Sequence, residues 1–181
     1  MKQNHASYMW LLAGAFFMLF SNGRWILSFA AWIYPVFFLR FLRLQKPARG
    51  FLILILTIAA INAVIFWKII PAPFNAYLVL ACVAMQLTSV SFLADRLLAT
   101  RFNGFISTLI FPAAWCSIEY AMSFIPTKGT WLALPYTQAN NLSLMQLTSV
   151  TGIWGNFFFD YLVCISGQLD LVTKFCMEEN T

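Results

Sequence analysis

The feature that most constrains this chain is a succession of apolar runs, each near the length of a membrane crossing and separated by short polar breaks. A helix rising 1.5 Å per residue needs about 20 residues, with a range of roughly 17–25, to cross a hydrocarbon core of about 30 Å. Six stretches meet or approach that length: residues 6–21, 25–42, 50–67, 74–94, 105–124 and 152–172. Asn22-Gly23 supplies a tight turn after the first. Pro71-Ala72-Pro73 breaks the chain after the third, because proline cannot continue a helix there. Residues 126–150 contain Pro135, Gln138, Asn140 and Asn141 and are too broken to cross. They read as an outer interfacial or re-entrant loop, with a short surface helix at Leu142–Leu147. Non-helical backbone is tolerated at membrane depth only where protein or a wet cavity surrounds it. The expected architecture is all-α: one polytopic transmembrane helical bundle over residues 1–181 with about six spans.

Composition excludes the main competitors. Hydrophobic residues make up 61% of the chain and charged residues 9%. A soluble domain of this size could not hide that much apolar surface, and a disordered chain needs the opposite balance. The net charge of +5 does not point to nucleic acid, because the cations lie singly or in short groups between apolar runs. Lys2, Arg40, Arg43, Lys46, Arg49, Arg96, Arg101 and Lys174 fall on one side of the expected topology, and Arg24, Lys68 and Lys128 on the other. The positive-inside rule then places both termini in the cytoplasm. Lys2 and the run Met9–Phe20 have the look of a signal peptide, but no small-residue cleavage site follows, so this run is expected to be a retained first span.

Cys82, Cys116, Cys164 and Cys176 form no C-x-x-C pair, and the single histidine, His5, lies near the terminus. No metal site and no cofactor is expected. Nor does the chain carry G-x-S-x-G, H-E-x-x-H or a P-loop.

Two acids fall inside spans, where ionisable groups are rare and usually face the bundle interior. Counting along the helices places Glu119 ~21 Å across from the inner side and Asp160 ~12 Å below the outer side, at similar depth. Either they share a site as an acid pair, or each is hydrogen-bonded separately. Gln86, Thr88, Ser89 and Ser91 give the fourth span a polar edge that is expected to bond across helices, with a substrate path as the alternative. Gly152, Gly155 and Asn156 open the sixth span with small groups suited to close packing.

Two blocks resemble a known family. One runs Ala113-Ala114-Trp115-Cys116-Ser117-Ile118-Glu119-Tyr120, then Trp131-Leu132-Ala133-Leu134-Pro135-Tyr136-Thr137-Gln138, and continues through Gln146 and Gly152 to Gly155-Asn156-Phe157. The other is Phe20-Ser21-Asn22-Gly23-Arg24-Trp25 with Ala31-Trp32-Ile33-Tyr34-Pro35-Val36. They are similar to the membrane domain of bacterial apolipoprotein N-acyltransferases, although Thr130 stands where that family usually has proline. The resemblance implies a multi-pass protein of the bacterial cytoplasmic (inner) membrane. Family members transfer a phospholipid acyl chain to the N-terminal amine of a lipoprotein. Their Glu-Lys-Cys triad lies in a nitrilase-like (carbon–nitrogen hydrolase) domain that follows a seventh span.

The expectation is therefore the membrane portion of such an acyltransferase, without the catalytic domain and catalytically incomplete alone. Its partners would be membrane phospholipid and a lipoprotein substrate or a separately encoded nitrilase-like domain. Glu119, Trp131, Tyr136 and Gln138 are the candidate docking platform on the outer face, and no residue is assigned a catalytic role. The alternatives are a stand-alone membrane binding or transport module and a truncated or split-enzyme subunit.

Overall fold

The computed structural model describes residues 2–23, 25–67, 69, 73–77, 86–102, 104–125, 129–130 and 133–178. All regular structure among them is helical. Six α-helices follow in chain order: α1 (Lys2–Leu19), α2 (Ser28–Leu44), α3 (Pro47–Ile65), α4 (Ser89–Leu98), α5 (Phe105–Ser123) and α6 (Leu142–Glu178), with 3-10 turns at Ala99–Arg101 and Leu134–Gln138.

Local chemistry sets several boundaries. The Asn22-Gly23 turn forms as expected, with Gly23 at φ 78° and its N–H donating to Asn22 Oδ1 at 2.7 Å. A side chain there would also strike Ile65. Residues 25–27 lie outside α2, and the Leu27 N–H donates to the Phe20 carbonyl across the turn at 2.8 Å. Pro47 opens α3 at a position where a missing N–H does no harm.

The fourth and sixth stretches depart from expectation. Among the described residues of 74–94, a helical turn at 74–77 is followed by turn structure at 86–88, and α4 begins only at Ser89. Residues 78–85, with Cys82 and Pro71-Ala72, lie outside the described residues. Two hydroxyls of the polar edge bond locally: Ser89 Oγ donates to Gln86 Oε1 at 3.1 Å, and Ser91 Oγ to the Thr88 carbonyl. The surface helix expected at Leu142–Leu147 runs on as the first part of α6, which bends at Gly152 (φ 70°, ψ 175°). Only glycine takes that conformation at little cost.

Contacts sort the helix termini into two groups. Gln45, after α2, bonds Ser7 of α1 at 2.6 Å, and Arg43 pairs with Asp95 of α4 at 3.2 Å. At the opposite end, the α1–α2 turn sits against Ile65 at the close of α3, and the 3-10 turn at Leu134–Gln138 meets the start of α2. Consecutive helices therefore alternate in direction, as a chain crossing back and forth requires.

An aromatic cluster joins four helices between these ends. Tyr34 and Phe38 come from α2, Phe92 from α4, Phe111 and Trp115 from α5, and Phe157 and Tyr161 from α6. Trp115 and Tyr161 stack at 5.1 Å, and Phe92 meets Phe111 at 4.9 Å. Outward, the pattern inverts. Leu52, Leu56 and Val64 of α3, and Met9, Leu12 and Phe16 of α1, form exposed apolar rows. Rows of this kind mark a surface that faces lipid or protein rather than water. Among the described residues, α3 and α5 are long and apolar enough to cross a membrane, and Ser7–Leu19 forms a shorter apolar helix.

Candidate functional site at the Ser28 end of the bundle

Gln138 is 2% exposed, although it sits in the most polar stretch of the chain. Its Nε2 donates to the Ser28 carbonyl at 2.9 Å and meets Thr137 Oγ1 at 3.2 Å. In return, Ser28 Oγ donates to the Thr137 carbonyl at 2.8 Å. This reciprocal pair closes a loop of more than a hundred residues onto the first turn of α2. Pro135 opens the 3-10 turn near its start, where proline is pre-shaped for it, and buries against the bundle. Tyr136 points the other way, half exposed, with its hydroxyl 2.9 Å from Thr130 Oγ1.

Below the clamp lies a layer of buried polar groups. Pro35 has no N–H, so the Ala31 carbonyl four residues earlier lacks its helical donor. Tyr161 of α6 donates to that carbonyl at 3.3 Å. Tyr34 in turn hydrogen-bonds to Tyr161. Glu119, buried one turn before the end of α5, acts electrostatically on Tyr34 and Cys116. Cys116 Sγ also reaches the Trp154 carbonyl at 3.5 Å, a weak tie between α5 and α6.

The two acids have different surroundings. Asp160 is buried on α6 beside the Trp32 indole. The indole nitrogen makes no hydrogen bond of standard geometry. Glu119 is carried by α5 and Asp160 by α6, and both are buried.

Of the four platform candidates, the structure brings Gln138 onto α2, leaves Tyr136 at the surface and buries Glu119 in the helix layer. Trp131 lies outside the described residues. Sequence reasoning missed Ser28 and Tyr161, and it treated Asn156 only as a packing residue. Asn156 is fully buried, and neither of its side-chain polar atoms meets a protein hydrogen-bond partner. Its spacing from Asp160, four residues on one helix, was the available signal. The described residues hold no cluster of metal-ligating side chains. Chemically the layer offers hydrogen-bonding amides, indoles and phenols together with two carboxyls.

A family model described as the apolipoprotein N-acyltransferase N-terminal domain matches residues 12–166. An apolipoprotein N-acyltransferase of Geobacter metallireducens is 43% identical over 54 residues, a match spanning 29% of this chain and 10% of that protein. No solved structure matches.

Proposed function

Because the chain belongs to the apolipoprotein N-acyltransferase N-terminal domain family, we propose that it forms a six-span, multi-pass domain of the bacterial inner membrane with both termini in the cytoplasm. Its role in this reading is to anchor and position a carbon–nitrogen hydrolase domain on the outer face and to admit phospholipid acyl chains between helices. Acyl transfer to a lipoprotein amine belongs to that second domain, not to residues of the bundle. Trp131 and Tyr136 serve as the docking platform, with Glu119 buried beneath it and Gln138 holding it in place.

The observation that carries the reading is the clamp between Gln138 and Ser28. It fixes the outer loop to the bundle while leaving Tyr136 available at the surface. The alternation of helix directions and the exposed apolar rows support the topology.

A chimera tests the role. This chain replaces the residues that precede the seventh span in the Geobacter metallireducens relative, and lipoprotein N-acylation is followed by the mass of the N-terminal peptide. Acylation by the chimera is expected. A chimera that inserts and folds yet transfers no acyl chain overturns the proposal. The topology has its own test. Lys46→Cys and Asn140→Cys, each in a background without the native cysteines, should be labelled by an impermeant thiol reagent from opposite sides of the membrane.

A further inference from the structure

We propose that a cavity at the Arg43 end of the bundle binds the phosphodiester headgroup of a membrane lipid that also carries a hydrogen-bond donor. The phosphate rests on Arg43 and Arg96, and the donor on Asp95.

The cavity measures about 320 Å³ and is lined by Arg43, Asp95, Arg96, Ala99 and Ser107. At ~30 Å³ per water it has room for a phosphate with a short polar arm. Two guanidiniums and one carboxylate leave the lining one positive charge in excess, which a phosphodiester monoanion neutralises. The guanidiniums are not used up. Arg43 spends one nitrogen on Asp95 Oδ2 at 3.2 Å, and Arg96 makes only long contacts, 3.4 and 3.3 Å, to the Arg43 and Gln45 carbonyls. Planar N–H forks of this kind match phosphate oxygens.

Asp95 supplies the second half of the recognition. It is 2% exposed, and its Oδ1 is buried without a hydrogen-bond partner. A buried carboxylate oxygen in that state calls for a donor. The ammonium of phosphoethanolamine or a hydroxyl of phosphoglycerol provides one, whereas the quaternary ammonium of phosphocholine has no N–H to give. The surroundings favour a lipid over a free headgroup. Leu97, Leu98, Phe102, Phe105 and Ile106 flank the lining residues in sequence and are exposed, giving acyl chains an apolar seat. Basic pockets between helices on the cytoplasmic side recognise headgroups by the same physics. The site rests on the membrane reading for its lipid source, and the thiol labelling above tests that reading separately.

The test uses the full chain purified in a neutral detergent, with bound phosphatidylglycerol, phosphatidylethanolamine and phosphatidylcholine counted by native mass spectrometry. Phosphatidylglycerol and phosphatidylethanolamine should bind at about a tenth or less of the concentration that phosphatidylcholine needs. Arg96→Gln should weaken all three about tenfold or more, and Asp95→Leu should abolish the preference among them. If Asp95→Leu fails to fold, Arg96→Gln and the wild-type ranking still decide. Equal binding of the three lipids by the wild type, or unchanged binding by Arg96→Gln, overturns the proposal. Soluble glycerophosphoglycerol binding as tightly as its lipid would overturn the lipid source.

Discussion

At the Ser28 end of the bundle a loop is tied to α2 by uncharged hydrogen bonds of 2.8 and 2.9 Å; at the Arg43 end α2 is tied to α4 by a longer ion pair that lines a cavity, beside the short uncharged bond from Gln45 to Ser7. The two ends solve different problems. The loop carrying Gln138 must be held in one register against α2, and the directional hydrogen bonds of an amide and a hydroxyl do that without adding a charge of their own. The other end sits where cations are plentiful. There the Arg43–Asp95 pair joins α2 to α4 while keeping guanidinium groups available. Burial pushes the Asp95 carboxyl up from its ordinary range, and Arg43, then Arg96, pull it back. The pair is thus poised between desolvation and attraction, whereas the clamp has no such opposition. Directional contacts should therefore weigh more in stability at the first end, and electrostatics should weigh more in binding at the second.

The largest effect should come from what both ends share. Trp115 is buried among Tyr34, Phe92, Phe111, Phe157 and Tyr161. Trp115→Ala should lower stability by about 3–5 kcal/mol through loss of packing and the cavity left behind. Unfolding in detergent micelles by denaturant titration would measure it. A change below ~1 kcal/mol would mean the cluster does not couple the helices.

The next effect probes the Ser28 half. Tyr161→Phe removes the donor to the Ala31 carbonyl and should cost about 1–3 kcal/mol, the penalty of an unmet buried acceptor. Pro35→Ala restores an N–H to that carbonyl. In the Pro35→Ala background the loss from Tyr161→Phe should shrink, and a double-mutant cycle reads the difference. Strict additivity would show that the phenol does not stand in for the missing helical hydrogen bond. Gln138→Ala should cost a similar ~1–3 kcal/mol, concentrated in the loop. Hydrogen exchange of residues 133–141 should rise while α3 stays protected. Uniform exchange across the bundle would remove the clamp as a local device.

These residues also show what the sequence could carry. The Asn22-Gly23 turn and the stretch 105–124 were legible because each depends on local chemistry or on a long unbroken apolar run. Gln138 stands out in the sequence as a residue expected on a platform, whereas the structure buries it. Its burial depends on Ser28, 110 residues away, and no local pattern reports that contact. The break before Ser89 was hidden for a related reason. Hydropathy stays high through 74–94, and hydroxyls that bond within their own turn have the same composition as hydroxyls that glue helices together. Tyr161 as the answer to Pro35 needed two spans brought side by side. The family blocks name residues, and their partners had to come from three dimensions.

The smallest effect completes the contrast. Asp95→Asn exchanges a buried charge for a neutral group of the same shape. Because desolvation of the carboxylate already opposes its attraction to Arg43, and because Arg43 is 39% exposed, the loss of the ion pair should change stability by no more than ~1 kcal/mol. Arg43 can turn toward water, so its charge is not stranded. The same substitution should reduce the salt sensitivity of unfolding, since only this end depends on screened charges. A loss as large as that of Gln138→Ala would mean that the ionic end is as directional as the clamp, and that its open cavity reflects a held geometry rather than spare binding capacity.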